Sequence, residues 1–187
     1  MSSSIRCKCV FLGNAGAGKT TLIVKHINNV FDESVPFTLD NSRANFVVGS
    51  KPVFMTIWDT PEIVDGEGFH QYESLVFYPH TDVFVVCFSV VNRLSFEHVK
   101  TRWSPEANHR CPKTPVILVG TKVDLRNECD NTHITRREGE ALARETHAEA
   151  YIECSSLTGE GVDEVFLKAA QAALFKLNKT NSRCILL

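Results

Sequence analysis

Apolar residues along this chain recur in two different periods. Ile5 to Leu12 reads as an apolar strand, and Val83 to Phe88 and Val116 to Val119 are near-continuous apolar runs, the pattern of strands covered on both faces. Ala44 to Val48 and Val53 to Trp58 flank Gly49-Ser50, a hairpin signal that places one antiparallel strand at a sheet edge. Tyr151 to Cys154 reads as a last short strand. Between the strands the spacing turns helical. Thr20 to Asn28 opens a helix directly after the first strand, and Asn92 is placed to cap a helix carrying Phe96, Val99 and Trp103 on one face. Thr135-x-x-Glu138 is a capping box for a helix through about His147, and Val162, Val165, Phe166, Ala169, Ala173 and Leu177 line one side of a final helix. Phe31 to Ser42 and Thr60 to Pro79 read as irregular. The alternation predicts an α/β fold: a six-stranded, mainly parallel sheet with one antiparallel edge strand and helices on both faces.

Composition narrows the class. At 187 residues the chain fits one domain with a sizeable core. Its formal net charge of −2 gives no electrostatic footprint for nucleic acid. The seven cysteines are odd in number and scattered, several within apolar runs, so they read as small hydrophobes in a reducing, cytoplasmic compartment. Cys7 and Cys9 face one side of a strand and make no metal site alone; Cys129 and His133 lack a second ligand pair. Met1 to Ser4 begins no signal peptide, and the run from Val83 to Val91 is too short to span a bilayer.

One stretch carries chemistry. Gly13-Asn14-Ala15-Gly16-Ala17-Gly18-Lys19-Thr20 fits G-x-x-x-x-G-K-[ST], with a strand before it and a helix after. Glycines let the backbone curl so that its N–H groups face phosphate oxygens, and the helix N-terminus adds partial positive charge. Lys19 supplies a cation for the outer phosphates, and the Thr20 hydroxyl is placed to ligate Mg²⁺.

With Asp59 and Thr121-Lys122-Val123-Asp124 added, the chain resembles a small GTPase of the Ras superfamily, and within it the Rho/Rac branch. Tyr78-Pro79-His80-Thr81-Asp82-Val83-Phe84, Trp103-Ser104-Pro105-Glu106, Cys111-Pro112-Lys113-Thr114-Pro115 and the run from Val119 to Arg126 carry the branch resemblance. It implies a P-loop NTPase G domain over residues 1–177, GTP or GDP as ligand and Mg²⁺ as cofactor. It implies that Gly13, Ala15, Gly16, Ala17, Gly18, Lys19, Thr20 and Thr21 hold phosphates, that Phe31 packs on the base, and that Thr121, Lys122, Asp124, Leu125, Ser155, Ser156 and Leu157 surround it. Asp124 is the acceptor for the guanine N1–H and amine, a donor pair that adenine lacks. Asp59, with Thr20, is the implied metal site. Effectors, exchange factors and a GDP-dissociation inhibitor are the implied partners of a monomer.

The departures fall on the parts that hydrolyse and sense GTP. Ala15 stands where the Rho/Rac pattern has glycine, and Phe37 where it has the threonine that reports the γ-phosphate. Ser34 and Ser42 replace two switch tyrosines. The usual Asp-Thr-Ala-Gly-Gln-Glu is lengthened to Asp59-Thr60-Pro61-Glu62-Ile63-Val64-Asp65-Gly66-Glu67-Gly68, with Glu67 nearest the catalytic glutamine. A carboxylate accepts a proton but donates no hydrogen bond, so Glu67 and Lys19 stand as the catalytic candidates of a slow GTPase. The branch's extra helical insert is missing between Arg126 and Thr135. The alternative is a pseudo-GTPase that holds nucleotide and recruits partners without a hydrolytic cycle; a P-loop ATPase or kinase is a more remote one. Cys184-Ile185-Leu186-Leu187 fits a C-a-a-X box with geranylgeranyl on Cys184, in a tail over residues 178–187. That tail predicts reversible attachment to the cytoplasmic face of a membrane.

Overall fold

The computed structural model describes residues 5–32, 41–60 and 77–184, with side chains through Asn178. Within these lie the strands β1 (Ile5–Leu12), β2 (Ser42–Val48), β3 (Lys51–Trp58), β4 (Val83–Ser89), β5 (Val116–Thr121) and β6 (Ala150–Glu153). They form one sheet in the order β2-β3-β1-β4-β5-β6. All neighbouring pairs are parallel except β2 with β3, which pair antiparallel from Val48 opposite Lys51 to Ser42 opposite Ile57. Gly49, at φ 63°, makes the tight turn between them. Every residue of the central β4 is buried. β1 changes along its length: Arg6 is exposed and Lys8 half-buried, while Cys9 to Leu12 are buried on both faces.

The helices are α1 (Lys19–Asn28), α2 (Arg93–His98), α3 (Ser104–Arg110), α4 (Arg136–Glu145) and α5 (Val162–Cys184). Side-chain alternation splits the core between the two sheet faces. On one face Phe11, Val85, Cys87 and Val119 pack with Leu22 and Ile23 of α1 and Val165, Phe166, Ala169 and Ala173 of α5. On the other, Val10, Leu12, Phe84, Val86 and Leu118 pack with Trp103, Ala107 of α3 and Leu142 of α4. Burying a side chain such as Phe166 contributes about 1.5–3 kcal/mol. Phe77 and Tyr78, at the end of the segment expected to be loop-like, are buried in this second cluster.

Two differences from the sequence reading have local causes. The single helix expected after Asn92 is a ridge in three pieces, α2 and α3 joined by a π-helical turn at Val99–Trp103. Pro105 has no N–H, and its ring clashes with the carbonyl four residues back, so the α-helical ladder widens there. The Ser104 N–H then bonds to the Val99 carbonyl. The final helix continues past Leu177, its last core-facing apolar position in the sequence pattern, to Cys184. Among the described residues no helix is long and apolar enough to cross a membrane. Phe37, Pro61 and Glu67, the C-terminal Ile185-Leu186-Leu187 and the Cys184 side chain lie outside the described residues.

Candidate functional site

α1 and α5 cover one face of the sheet while α2, α3 and α4 cover the other. The order in which strands are added to the sheet reverses between the parallel neighbours β1 and β4, and a crevice opens at the carboxyl ends of the strands, the usual ligand position in open α/β sheets. A cavity of about 610 Å³ occupies this place.

The phosphate-loop motif forms its floor. Gly13 leaves β1 at φ 145°, and a Cβ there would lie 2.3 Å from the Cys87 carbonyl oxygen, so only glycine fits. Gly16 and Gly18 also take positive φ, 68° and 82°, and the Ala17 N–H closes the loop onto the Asn14 carbonyl at 3.1 Å. Gly18 caps α1 without a side-chain hydrogen bond, which leaves the first amides of α1 uncapped by any side chain. Lys19 is only 4% exposed; its Nζ donates to the Gly13 and Asn14 carbonyls at 2.9 and 3.1 Å. Beneath the loop, burial pushes the Cys87 thiol up to about 12 despite the Lys19 charge, so it remains protonated.

Thr20 and Asp59 meet at the mouth. The Thr20 hydroxyl donates to Asp59 Oδ2 at 2.5 Å. Because the hydroxyl is the donor here, its oxygen lone pairs face a cation, and a hydroxyl beside a carboxylate is the hard-oxygen donor set that Mg²⁺ prefers. Thr60 also lines the cavity, its hydroxyl tied to the Phe11 carbonyl at 2.7 Å.

The opposite wall comes from two loops. Lys122 sits at φ 61° and starts the 3₁₀ turn Val123–Leu125, which carries Asp124. Its Cε lies 3.8 Å from where a Gly18 Cβ would stand, so the lysine stem runs over the phosphate loop. Lys122, Asp124, Leu125, Phe31, Ser156 and Leu157 all line the cavity. Thr121 lines the same cavity, and two predicted contacts also brace the site from behind. The Thr121 hydroxyl bonds to the carbonyls of Ala17 (2.7 Å) and Phe88 (3.1 Å), lacing β5 to the phosphate loop. Ser155 is fully buried; its hydroxyl accepts from the Thr158 N–H at 3.1 Å and shapes the loop that presents Ser156. Of the other positions, Gly16, Lys19, Thr20 and Thr21 line the cavity, and Ala15 is exposed in the loop between Gly13 and Gly16.

An ion pair absent from the sequence reading joins those two loops. Arg126 grips Glu153 through both terminal nitrogens, at 2.5 and 3.0 Å, and donates to the Ile134 carbonyl at 2.9 Å. Burial alone pushes the Glu153 carboxyl up, but Arg126 and the Tyr151 hydroxyl outweigh it and hold it below the ordinary glutamate range. The pair spans 27 residues, too far for any local pattern to reveal. The Val123 N–H to the Cys154 carbonyl, at 3.3 Å, is a second link.

The cavity therefore presents a curled amide loop with a buried lysine, a hydroxyl–carboxylate pair, and a carboxylate beside an apolar slot. A sequence profile described as the Ras family matches residues 8–175 of the chain, from β1 into α5.

Proposed function

The chain belongs to the Ras family of small GTPases, and from that premise we propose a Rho-type GTP/GDP switch with slow intrinsic hydrolysis. The observation that carries the nucleotide reading is one cavity bringing Lys19 and Thr20, Asp124, and Ser156 together from three separate stretches of chain. In this reading the amides from Gly16 to Thr20 and the Lys19 ammonium bind the β- and γ-phosphates. The Lys122 stem and Phe31 enclose the purine, and the Asp124 carboxylate accepts from its N1–H and amine. An adenine there would leave that carboxylate without its donors, which sets the preference for guanine.

Mg²⁺, when bound, would neutralise phosphate charge; Thr20 and Asp59 fit it and are its proposed holders. The Rho-type assignment rests on the motifs at Trp103-Ser104-Pro105-Glu106 and Cys111-Pro112-Lys113-Thr114-Pro115. Slow hydrolysis rests on residue chemistry. The Ala15 methyl stands where a catalytic glutamine and a partner's arginine would enter, and Glu67 lacks the donor of a glutamine.

Single-turnover phosphate release from the GTP-loaded protein tests this. The expected result is GTP binding with slow release, faster after Ala15→Gly. Release at an ordinary family rate overturns the slow-hydrolysis reading. Identical partner affinity of the GTP and GDP forms overturns the switch and leaves a nucleotide-loaded binding module.

A further inference from the structure

Asn14 lies in the phosphate-loop motif, and its polar side chain reaches the helical ridge outside the cavity. Its Nδ2 lies 2.8 Å from His98 Nδ1, and its Oδ1 accepts from the Trp103 indole N–H at 2.7 Å. His98 closes α2, and Trp103, only 2% exposed, closes the π-helical turn. The Asn14 backbone matters equally: its carbonyl takes the Lys19 ammonium and the Ala17 N–H. One residue thus joins the helical ridge to the carbonyl that positions the phosphate-binding lysine.

The hydrogen-bond roles are fixed by elimination. An indole N–H can only donate, so the amide oxygen must face Trp103 and the amide NH₂ must face His98. His98 Nδ1 must then accept, which places the ring proton on Nε2. A doubly protonated imidazole would set N–H against NH₂, and the amide cannot flip without setting NH₂ against the indole. The other charges of the ridge are engaged elsewhere or exposed. Arg93 pairs with Glu138, Lys100 with Glu145, Arg102 lies over the Trp103 ring, and Glu97 is exposed. From the loop side, Lys19 is bound to the Gly13 and Asn14 carbonyls.

We propose that His98 and Trp103 are positioning residues for the phosphate loop, acting through the two ends of the Asn14 amide. The inference rests on the guanine-nucleotide reading and adds to it a control on nucleotide release, exerted from outside the cavity.

The test is the dissociation rate of a fluorescent GDP analogue from the full-length protein, with Mg²⁺, at neutral pH. Trp103→Phe, which loses one hydrogen bond, speeds release about threefold to tenfold, and Asn14→Ala, which loses two, speeds it at least as much. Asn14→Ala removes no core side chain, so its result stands even if Trp103→Phe fails to fold. His98→Asn supplies an acceptor at the Nδ1 position, so it keeps the slow rate, whereas His98→Ala removes the acceptor and speeds release. Unchanged rates in Asn14→Ala and Trp103→Phe, or equal release from His98→Asn and His98→Ala, overturn the proposal alone. Failure of the unsubstituted protein to bind the analogue overturns the guanine-nucleotide reading and this proposal with it.

Discussion

The Thr20 hydroxyl donates to Asp59 Oδ2 at 2.5 Å, joining the first turn of α1 to the end of β3 across 39 residues of sequence. The contact fixes where the hydroxyl proton points and so where its lone pairs point. Thr20→Val keeps the shape and removes the oxygen; Thr20→Ser keeps the oxygen. Thr20→Val should speed GDP release about tenfold to hundredfold, since a hydrogen bond or ligand contact to a charged group contributes about 1.5–3 kcal/mol. Release from that variant should also become insensitive to chelation by EDTA, whereas Thr20→Ser retains both the slow rate and the chelator response. Stopped-flow measurement with and without EDTA decides it, and a chelator response surviving in Thr20→Val refutes the assignment.

Asp124 has a different task. It is exposed on a 3₁₀ turn that lines the cavity, apart in the chain from the phosphate loop. Asp124→Ala should therefore weaken GDP about tenfold to hundredfold while leaving ATP binding, already poor, unchanged. Calorimetric titration with both nucleotides checks this. An equal loss for the two would mean that the substitution damages the fold instead of the choice of base.

Tyr151 is wedged between two glycines. A Cβ on Gly139 would fall 2.1 Å from Tyr151 Cζ, and one on Gly120 would fall 2.7 Å from its hydroxyl. The same hydroxyl donates to Glu153 at 2.8 Å, inside the Arg126 ion pair. Gly139→Ala should cost about 1–3 kcal/mol by overpacking, read as a lower urea midpoint. Adding Tyr151→Leu, which withdraws the ring end, should recover part of that loss. Strict additivity in the double-mutant cycle would show that the ring is not the obstacle.

Much of this architecture is legible in the chain. β4, β5 and the second half of β1 are buried on both faces and so read as apolar runs, and the Thr135–Glu138 box is local by nature. The phosphate-loop motif is equally local, since its glycines answer to backbone angles. What escaped is non-local. Asn14 looks like a filler position in G-x-x-x-x-G-K-[ST] because its partners lie 84 and 89 residues away. Thr121 sits inside a base-recognition motif, yet its hydroxyl is spent on the Ala17 and Phe88 carbonyls, which only the register of β4 against β5 brings close. The π turn follows from Pro105, but the helical period of Phe96, Val99 and Trp103 hides it, since a single wide turn barely shifts the apolar face.

Glu138 carries the clearest pH signature. It completes the Thr135 capping box, accepting from the Thr135 N–H at 2.8 Å, and pairs with Arg93 at 2.6 Å, so it links α4 to α2. Burial pushes its carboxyl up, but Arg93 and the two Thr135 donors outweigh that and hold it at about 2. In the unfolded chain it titrates near the ordinary glutamate value of about 4.3. The folded value lies below the unfolded one, so the charged form contributes stability that is fully present above about pH 4.3. That contribution is lost as pH falls toward about 2. Because 38% of the side chain is exposed, solvent screening reduces it to about 1 kcal/mol. Glu138→Gln keeps the shape and removes the titration. The difference in melting temperature between the two proteins should be constant from neutral pH down to about pH 4.5 and shrink below it. A difference that grows on acidification would mean that the charge opposes folding and that the ion pair with Arg93 does not form in solution.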